Sequence, residues 1–178
     1  MLWPATVQQW GSTALERSEP FPCDRLVPEA DHALFRAIGV EAPQGVTFRW
    51  LCQLRAAPYS YDKLDNFGRR SPQTLTPGLE DLAPGQRFQT IFRLVEFEPG
   101  RSLTMLSEGR VLGRTAVTYR ADPAGEGRSR IVVKLALSYP QAPLGPLLRL
   151  LLPPGDLVMM RRQLLNLKGL AERQAAAA

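Results

Sequence analysis

Histidine is almost missing from this chain: His32 is the only one among 178 residues. It has neither a second histidine nor a carboxylate cluster near it in sequence, so a Ser-His-Asp triad or a His-rich metal site has little to build on. No G-x-S-x-G elbow occurs either. Cysteine is scarce too, and Cys23 and Cys52 form no C-x-x-C, which leaves zinc without a plausible ligand set. Cys52 falls inside an apolar helical pattern and reads as a small buried hydrophobe. Met1-Leu2-Trp3-Pro4 lacks the basic start and apolar core of a signal peptide. Two cysteines and no export signal point to a reducing compartment, so the expected location is the cytoplasm. Long apolar runs are absent as well. The most apolar stretch, residues 144–152, is cut by Pro146 and followed by Pro153 and Pro154. It falls far short of the roughly 20 residues that cross a bilayer, so no integral membrane association is expected. Neither GLEDLAPG nor ADPAGEG has a phosphate-loop pattern, and no cofactor is implied.

What is present is an ordinary globular composition, 44% hydrophobic and 22% charged. A chain of this length buries roughly two-thirds of its unfolded surface and needs no metal or disulfide to fold. The net charge is +5. Near the C-terminus Arg149, Arg161, Arg162, Lys168 and Arg173 outnumber Asp156 and Glu172. A basic helix face can attract nucleic acid or anionic lipid. No RNA-stacking or zinc-finger pattern accompanies it, so it reads as the solvated side of an amphipathic helix and no nucleic acid partner is expected.

Residues 1–30 carry Trp3, Trp10 and Phe21 among Pro4, Pro20, Pro22 and Pro28. The prolines predict an extended arm, and the aromatic residues predict that it packs on the body. A first strand is expected at Ala33–Ala42 and a helix over 44–56, where Val46, Trp50, Leu51 and Leu54 recur at helical spacing. Residues 58–74 (PYSYDKLDNFGRRSPQT) read as a long ordered loop with at most one helical turn. From Gln86 the pattern is β. A long strand is expected from Gln86 to Glu98, then runs around Leu103 and Met105, and around Thr115, Val117 and Tyr119. Ile131, Val133, Leu135, Leu137 and Tyr139 mark a half-buried strand with Lys134, Ala136 and Ser138 facing out. Short connections imply an antiparallel meander. Residues 144–152 are left as a short helix or a packed loop. A separate long helix follows Gly155, with Asp156 as its N-cap and Leu157, Met160, Leu164, Leu167 and Ala171 as its apolar stripe. The final alanines, Ala175 to Ala178, are expected to fray. One antiparallel sheet with a segregated helix is an α+β plan, with residues 31–174 as a single domain behind the arm.

Four stretches carry a resemblance: the WG…PCDRLVP arm from Trp10 to Pro28, APQGVTFRWLCQLR at 42–55, APYSYDKLDNFGRRSP at 57–72, and GDLVMMRRQLLNLKGLAER at 155–173. In these the chain resembles the START-like superfamily of polyketide cyclase/dehydrase-type and lipid-transfer proteins. The resemblance implies the helix-grip fold, a curved antiparallel sheet around a long C-terminal helix with an apolar tunnel between them. It also implies a small hydrophobic ligand, lipid or polyketide-like. Relatives of this kind include carriers, cyclases and aromatases, and fold alone does not choose among them.

The candidate ligand-binding residues follow. Tyr59, Tyr61 and Phe67 could line or lid a pocket from the loop. Met105, Val117, Tyr119, Leu135, Met160 and Leu164 could wall it from sheet and helix. Arg69, Arg70 and Glu96 are the possible polar anchors. Asp62 and Asp65 are spaced to share a helix face, yet in a polar stretch nothing raises a carboxyl pKa, and no catalytic constellation is complete. Peripheral membrane contact through residues 144–152 and the basic helix is a further expectation.

Overall fold

The computed structural model describes residues 3–109, 113–141 and 144–177. The sequence readings that reach Met1, Leu2 and Ala178 therefore lie partly outside the described residues. Six antiparallel strands form one sheet: β1 (His32–Val40), β2 (Arg87–Phe88), β3 (Phe92–Glu98), β4 (Ser102–Gly109), β5 (Gly113–Pro123) and β6 (Ser129–Ser138). Their spatial order is β1-β6-β5-β4-β3-β2, so the first strand pairs with the last. The long helix α6 (Leu144–Ala176) lies across the inner face. This is the helix-grip architecture.

Alternation along the strands divides the residues between two faces. Leu34, Leu103, Met105, Val117, Tyr119, Ile131, Val133 and Leu135 point inward and join Met160, Leu164, Leu167 and Ala171 of α6 in the main core. Helix α4 (Gln44–Cys52), extended by a 3₁₀ turn at Gln53–Arg55, closes one end with Trp50, Leu51 and Leu54. Trp50 Nε1 donates to Gln174 Oε1 at 2.7 Å, tying α4 to the last turns of α6.

The outer face is covered over β1, β6 and part of β5. Residues before β1 are wound into three short helices, α1 (Ala5–Gln8), α2 (Ala14–Ser18) and α3 (Pro22–Leu26), which corrects the extended arm. Pro4, Pro20 and Pro28 fall outside the helices, and Pro22 takes the first position of α3, where no N–H is needed. Thr13 and Glu16 form a reciprocal capping box that starts α2. Phe21, Cys23 and Val27 then bury Phe35, Ala37, Ala116, Val132 and Ala136 in a second cluster. Lys134 and Ala136, expected to face water, lie under this cover, with Lys134 Nζ 2.7 Å from Asp24. Gly11 adopts φ +73°, and a Cβ there would collide with the carbonyl oxygen of Ala37, so only glycine lets the segment lie this close to β1.

Two further expectations need correction. The strand from Gln86 to Glu98 is broken because Gln89 and Thr90 take positive φ, 45° and 70°, which no strand accommodates. The terminal helix does not begin at Asp156; it runs unbroken from Leu144 through Pro153 and Pro154. A proline's φ fits a helix, and what it removes is a donor. Pro153 leaves the Arg149 carbonyl without its partner one turn on, and Trp3 Nε1 donates to that carbonyl at 3.4 Å.

Candidate functional site

Between the inner face of the sheet and α6 lies a cavity of about 390 Å³. Its apolar wall includes Phe92, Val117, Leu135 and Leu137 from the sheet and Leu152, Met159 and Met160 from α6. Pro58, Ser60 and Asp65 close it from the loop after α4. Ile91 and Gly155, both exposed, stand at its edge.

Three of its polar side chains are linked. The buried Tyr119 hydroxyl donates to Gln163 Oε1 at 2.7 Å and accepts from Gln89 Nε2 at 3.1 Å. Gln163 Nε2 donates to the Pro58 carbonyl at 2.6 Å, so one chain of bonds joins sheet, helix and loop. Burial pushes the Tyr119 phenol above its ordinary range, and it stays a neutral donor. The positive φ at Gln89 that breaks the strand is what brings this amide to Tyr119.

Asp156 also lines the cavity. Its Oδ2 accepts from Arg36 Nε at 3.0 Å and lies 2.7 Å from Nη2. Arg36 is fully buried on β1 and donates again to the carbonyls of Phe35 and Pro153. Burial pushes the Asp156 carboxyl up to about 6, against the pull of Arg36, and the same burial lowers the Arg36 pKa. Asp65 has Oδ2 bonded to Ser60 Oγ, while its Oδ1 is buried without a hydrogen-bond partner among the described residues.

The residues singled out by sequence are distributed as follows. Val117, Tyr119, Leu135 and Met160 line the cavity, whereas Met105 and Leu164 are sealed in the core behind it. Tyr59 and Tyr61 line a separate hollow of about 650 Å³ between the loop and the C-terminal half of α6, shared with Lys63, Arg162 and Arg173. Phe67 is 85% exposed and lines neither. Arg69 and Arg70 are exposed and form no ion pair among the described residues, so they anchor nothing in the cavity. Glu96 faces outward and pairs with Arg25 at 2.8 Å. A register shift between Leu94 and Glu96 reverses the alternation, which turns Glu96 away from the core and Phe97 toward it. Asp62 and Asp65 belong to the single turn α5 (Asp62–Asp65) but do not act on each other, since Asp62 is held by Ser71 at 2.6 and 2.9 Å.

Sequence reasoning missed Gln163, Gln89 and the Arg36–Asp156 pair. The signal for each charged residue was there. Arg36 is the one charge in the apolar run ALFRAIGV, and Asp156 the one acid between Leu144 and Met160. Among the described residues no group of His, Cys, Asp and Glu could hold a metal, and no helix is long and apolar enough to cross a membrane.

No protein-family model matches the sequence, and no curated protein is similar to it at a meaningful level. Solved structures are similar in fold. A protein from Mesorhizobium loti aligns at 15% identity and TM-score 0.52, over 80% of this chain and 98% of that one. A protein from Helicobacter pylori aligns at 14% identity and TM-score 0.51, over 86% and 96%. A protein from Chromobacterium violaceum aligns at 14% identity and TM-score 0.51, over 79% and 96%. Likeness at this identity shows the shared fold and no more.

Proposed function

We propose that the protein binds a small apolar or aromatic molecule, lipid or polyketide-like, in the cavity between sheet and terminal helix, as a carrier or sensor. The observation that carries this reading is the cavity itself, of ligand size and mainly apolar, crossed by the short polar chain Gln89–Tyr119–Gln163. Burial of the ligand's apolar surface supplies affinity at about 25 cal/mol per Å². The polar groups fix its orientation. The resemblance to START-like proteins supports the same reading, and the two unlinked cysteines support work in the cytoplasm.

A cyclase- or aromatase-type reaction in this cavity has less support. Among the described residues its two titratable groups nearest to that role, Tyr119 and Asp156, are each bonded elsewhere and not to one another.

Two measurements test the binding reading. Native mass spectrometry of the freshly purified chain should show a co-purifying small molecule. N-phenyl-1-naphthylamine should brighten saturably with the wild type and not with Gly155→Phe. Gly155 lines the cavity edge and a Cβ there meets nothing within 4 Å, so the backbone has room for a side chain at the entrance. No brightening with the wild type, or equal brightening with both proteins, refutes this site.

A second reading adds peripheral membrane contact. Leu144, Leu147, Leu150 and Leu151 are all exposed on the first turns of α6, next to Leu152 in the cavity wall. Co-sedimentation with phosphatidylcholine vesicles containing phosphatidylglycerol, lost in Leu147→Glu, would support it. Sedimentation unchanged by that substitution would remove it.

A further inference from the structure

We propose that the cavity selects an apolar molecule that donates hydrogen bonds, namely a phenol, an alcohol or a protonated amine, and turns away carboxylates and other anions. The proposal rests on the binding function above and names the class of its ligand.

The balance of donors and acceptors on the wall carries the argument. The wall's bonded donors are directed at protein acceptors. Tyr119 donates to Gln163, Gln163 to the Pro58 carbonyl, Gln89 to Tyr119, and Ser60 to Asp65. Besides the second amide hydrogens of Gln89 and Gln163, what the wall leaves open is acceptor capacity, and the charged part of it is all acceptor. Asp65 Oδ1 is buried with no hydrogen bond, an expensive state for a carboxylate oxygen unless something brings it a donor. Both Arg36 contacts to Asp156 go to Oδ2, and no hydrogen bond reaches its Oδ1 among the described residues. Ser107 and Thr115 add hydroxyls that serve in either sense.

Charge points the same way. Asp65 and Asp156 line the cavity, and among the described residues no Lys, Arg or His does. Arg36 neutralises Asp156 from behind and is itself fully buried. Asp65 has only the neutral Ser60 hydroxyl against it. An entering anion would lose its hydration beside an uncompensated like charge, whereas a donor or a cation would satisfy that charge. The basic side chains Lys63, Arg162 and Arg173 line the separate outer hollow instead.

Four molecules sharing one ring system test this on the full chain by isothermal titration calorimetry at pH 7.5: naphthalene, 2-naphthol, 2-naphthylmethylamine and 2-naphthoate. The expected result is that 2-naphthol and the protonated amine bind at least tenfold more tightly than 2-naphthoate. Asp65→Asn should cut the amine's advantage over 2-naphthoate at least threefold and leave naphthalene unchanged. Binding of 2-naphthoate as tight as that of 2-naphthol overturns the donor preference while leaving the cavity a binding site. No binding of any of the four overturns the binding function and this proposal with it. An amine-to-naphthoate ratio unchanged in Asp65→Asn removes Asp65 as its source. If that variant does not fold, the four-ligand series on the wild type still decides.

Discussion

Arg36 on β1 and Asp156 on α6 form an ion pair at 2.7 Å, with the guanidinium wholly shielded and the carboxylate side chain only 15% exposed. The pair pins the first strand to the helix that walls the cavity. Removing one partner strands the other in a poorly solvated place. Arg36→Met should cost about 3–5 kcal/mol at pH 7 by urea denaturation, and the double variant Arg36→Met/Asp156→Leu should recover most of it. A single variant as stable as the wild type would show that the pair does not hold the helix.

The same carboxyl gives stability a particular pH dependence. Its folded pKa, about 6, lies above the ordinary aspartate value of 3.8, so the folded state takes up the proton first. The stability contributed by protonation is fully present below about pH 4 and is lost as pH rises through about 6. Glu16 and Glu172 have lowered pKa values and act in the opposite sense at acid pH, but they are common to wild type and double variant. The difference in unfolding free energy between those two proteins should therefore shift in favour of the wild type as pH falls from 7 to 5. A flat difference would contradict the assignment.

Tyr119→Phe should lower stability by about 1–3 kcal/mol, because Gln163 Oε1 loses the hydroxyl that satisfies it in a buried place. The ring remains, so packing changes little and thermal unfolding reads the lost hydrogen bonds. An unchanged midpoint would mean that Gln163 finds another donor.

Phe21→Ala tests the outer cover. The ring is 2% exposed, meets Phe35 edge-on at 6.0 Å between centroids, and carries the Arg120 guanidinium 4.7 Å above it. Its removal should cost about 3–5 kcal/mol in chemical denaturation. A loss below about 1 kcal/mol would show that the segment before β1 adds little to the folded body.

Period and composition made the inner face of the sheet legible. Ile131, Val133 and Leu135 alternate without interruption, and the stripe of Met160, Leu164 and Leu167 needs a partner of that kind. The outer face was misread because alternation shows which side is apolar enough to bury, and Ala136 beside Lys134 is too mild a pattern to announce a second cover. The capping box at Thr13 and Glu16 was a usable sign that the arm is helical. Pro153-Pro154-Gly155-Asp156 has the chemistry of a helix start, yet the helix runs through it, with Arg36 donating to the Pro153 carbonyl and Trp3 to the Arg149 carbonyl. Strand and helix parity put Val117, Tyr119, Leu135 and Met160 on the inner face together with Met105 and Leu164, and did not tell cavity wall from packed core. Parity misplaced Glu96, because a bulge leaves no mark in composition. It missed Gln89, whose place depends on a turn inside an otherwise β-rich run.

Pro153 has one more consequence. It obliges the helix to seek a hydrogen bond outside itself, and the indole that supplies it is 146 positions away. The segment before β1 is thereby stitched to α6 at the turn that borders the cavity. Losing the Trp3 indole is not a neutral edit, since it unclasps a seam far along the molecule.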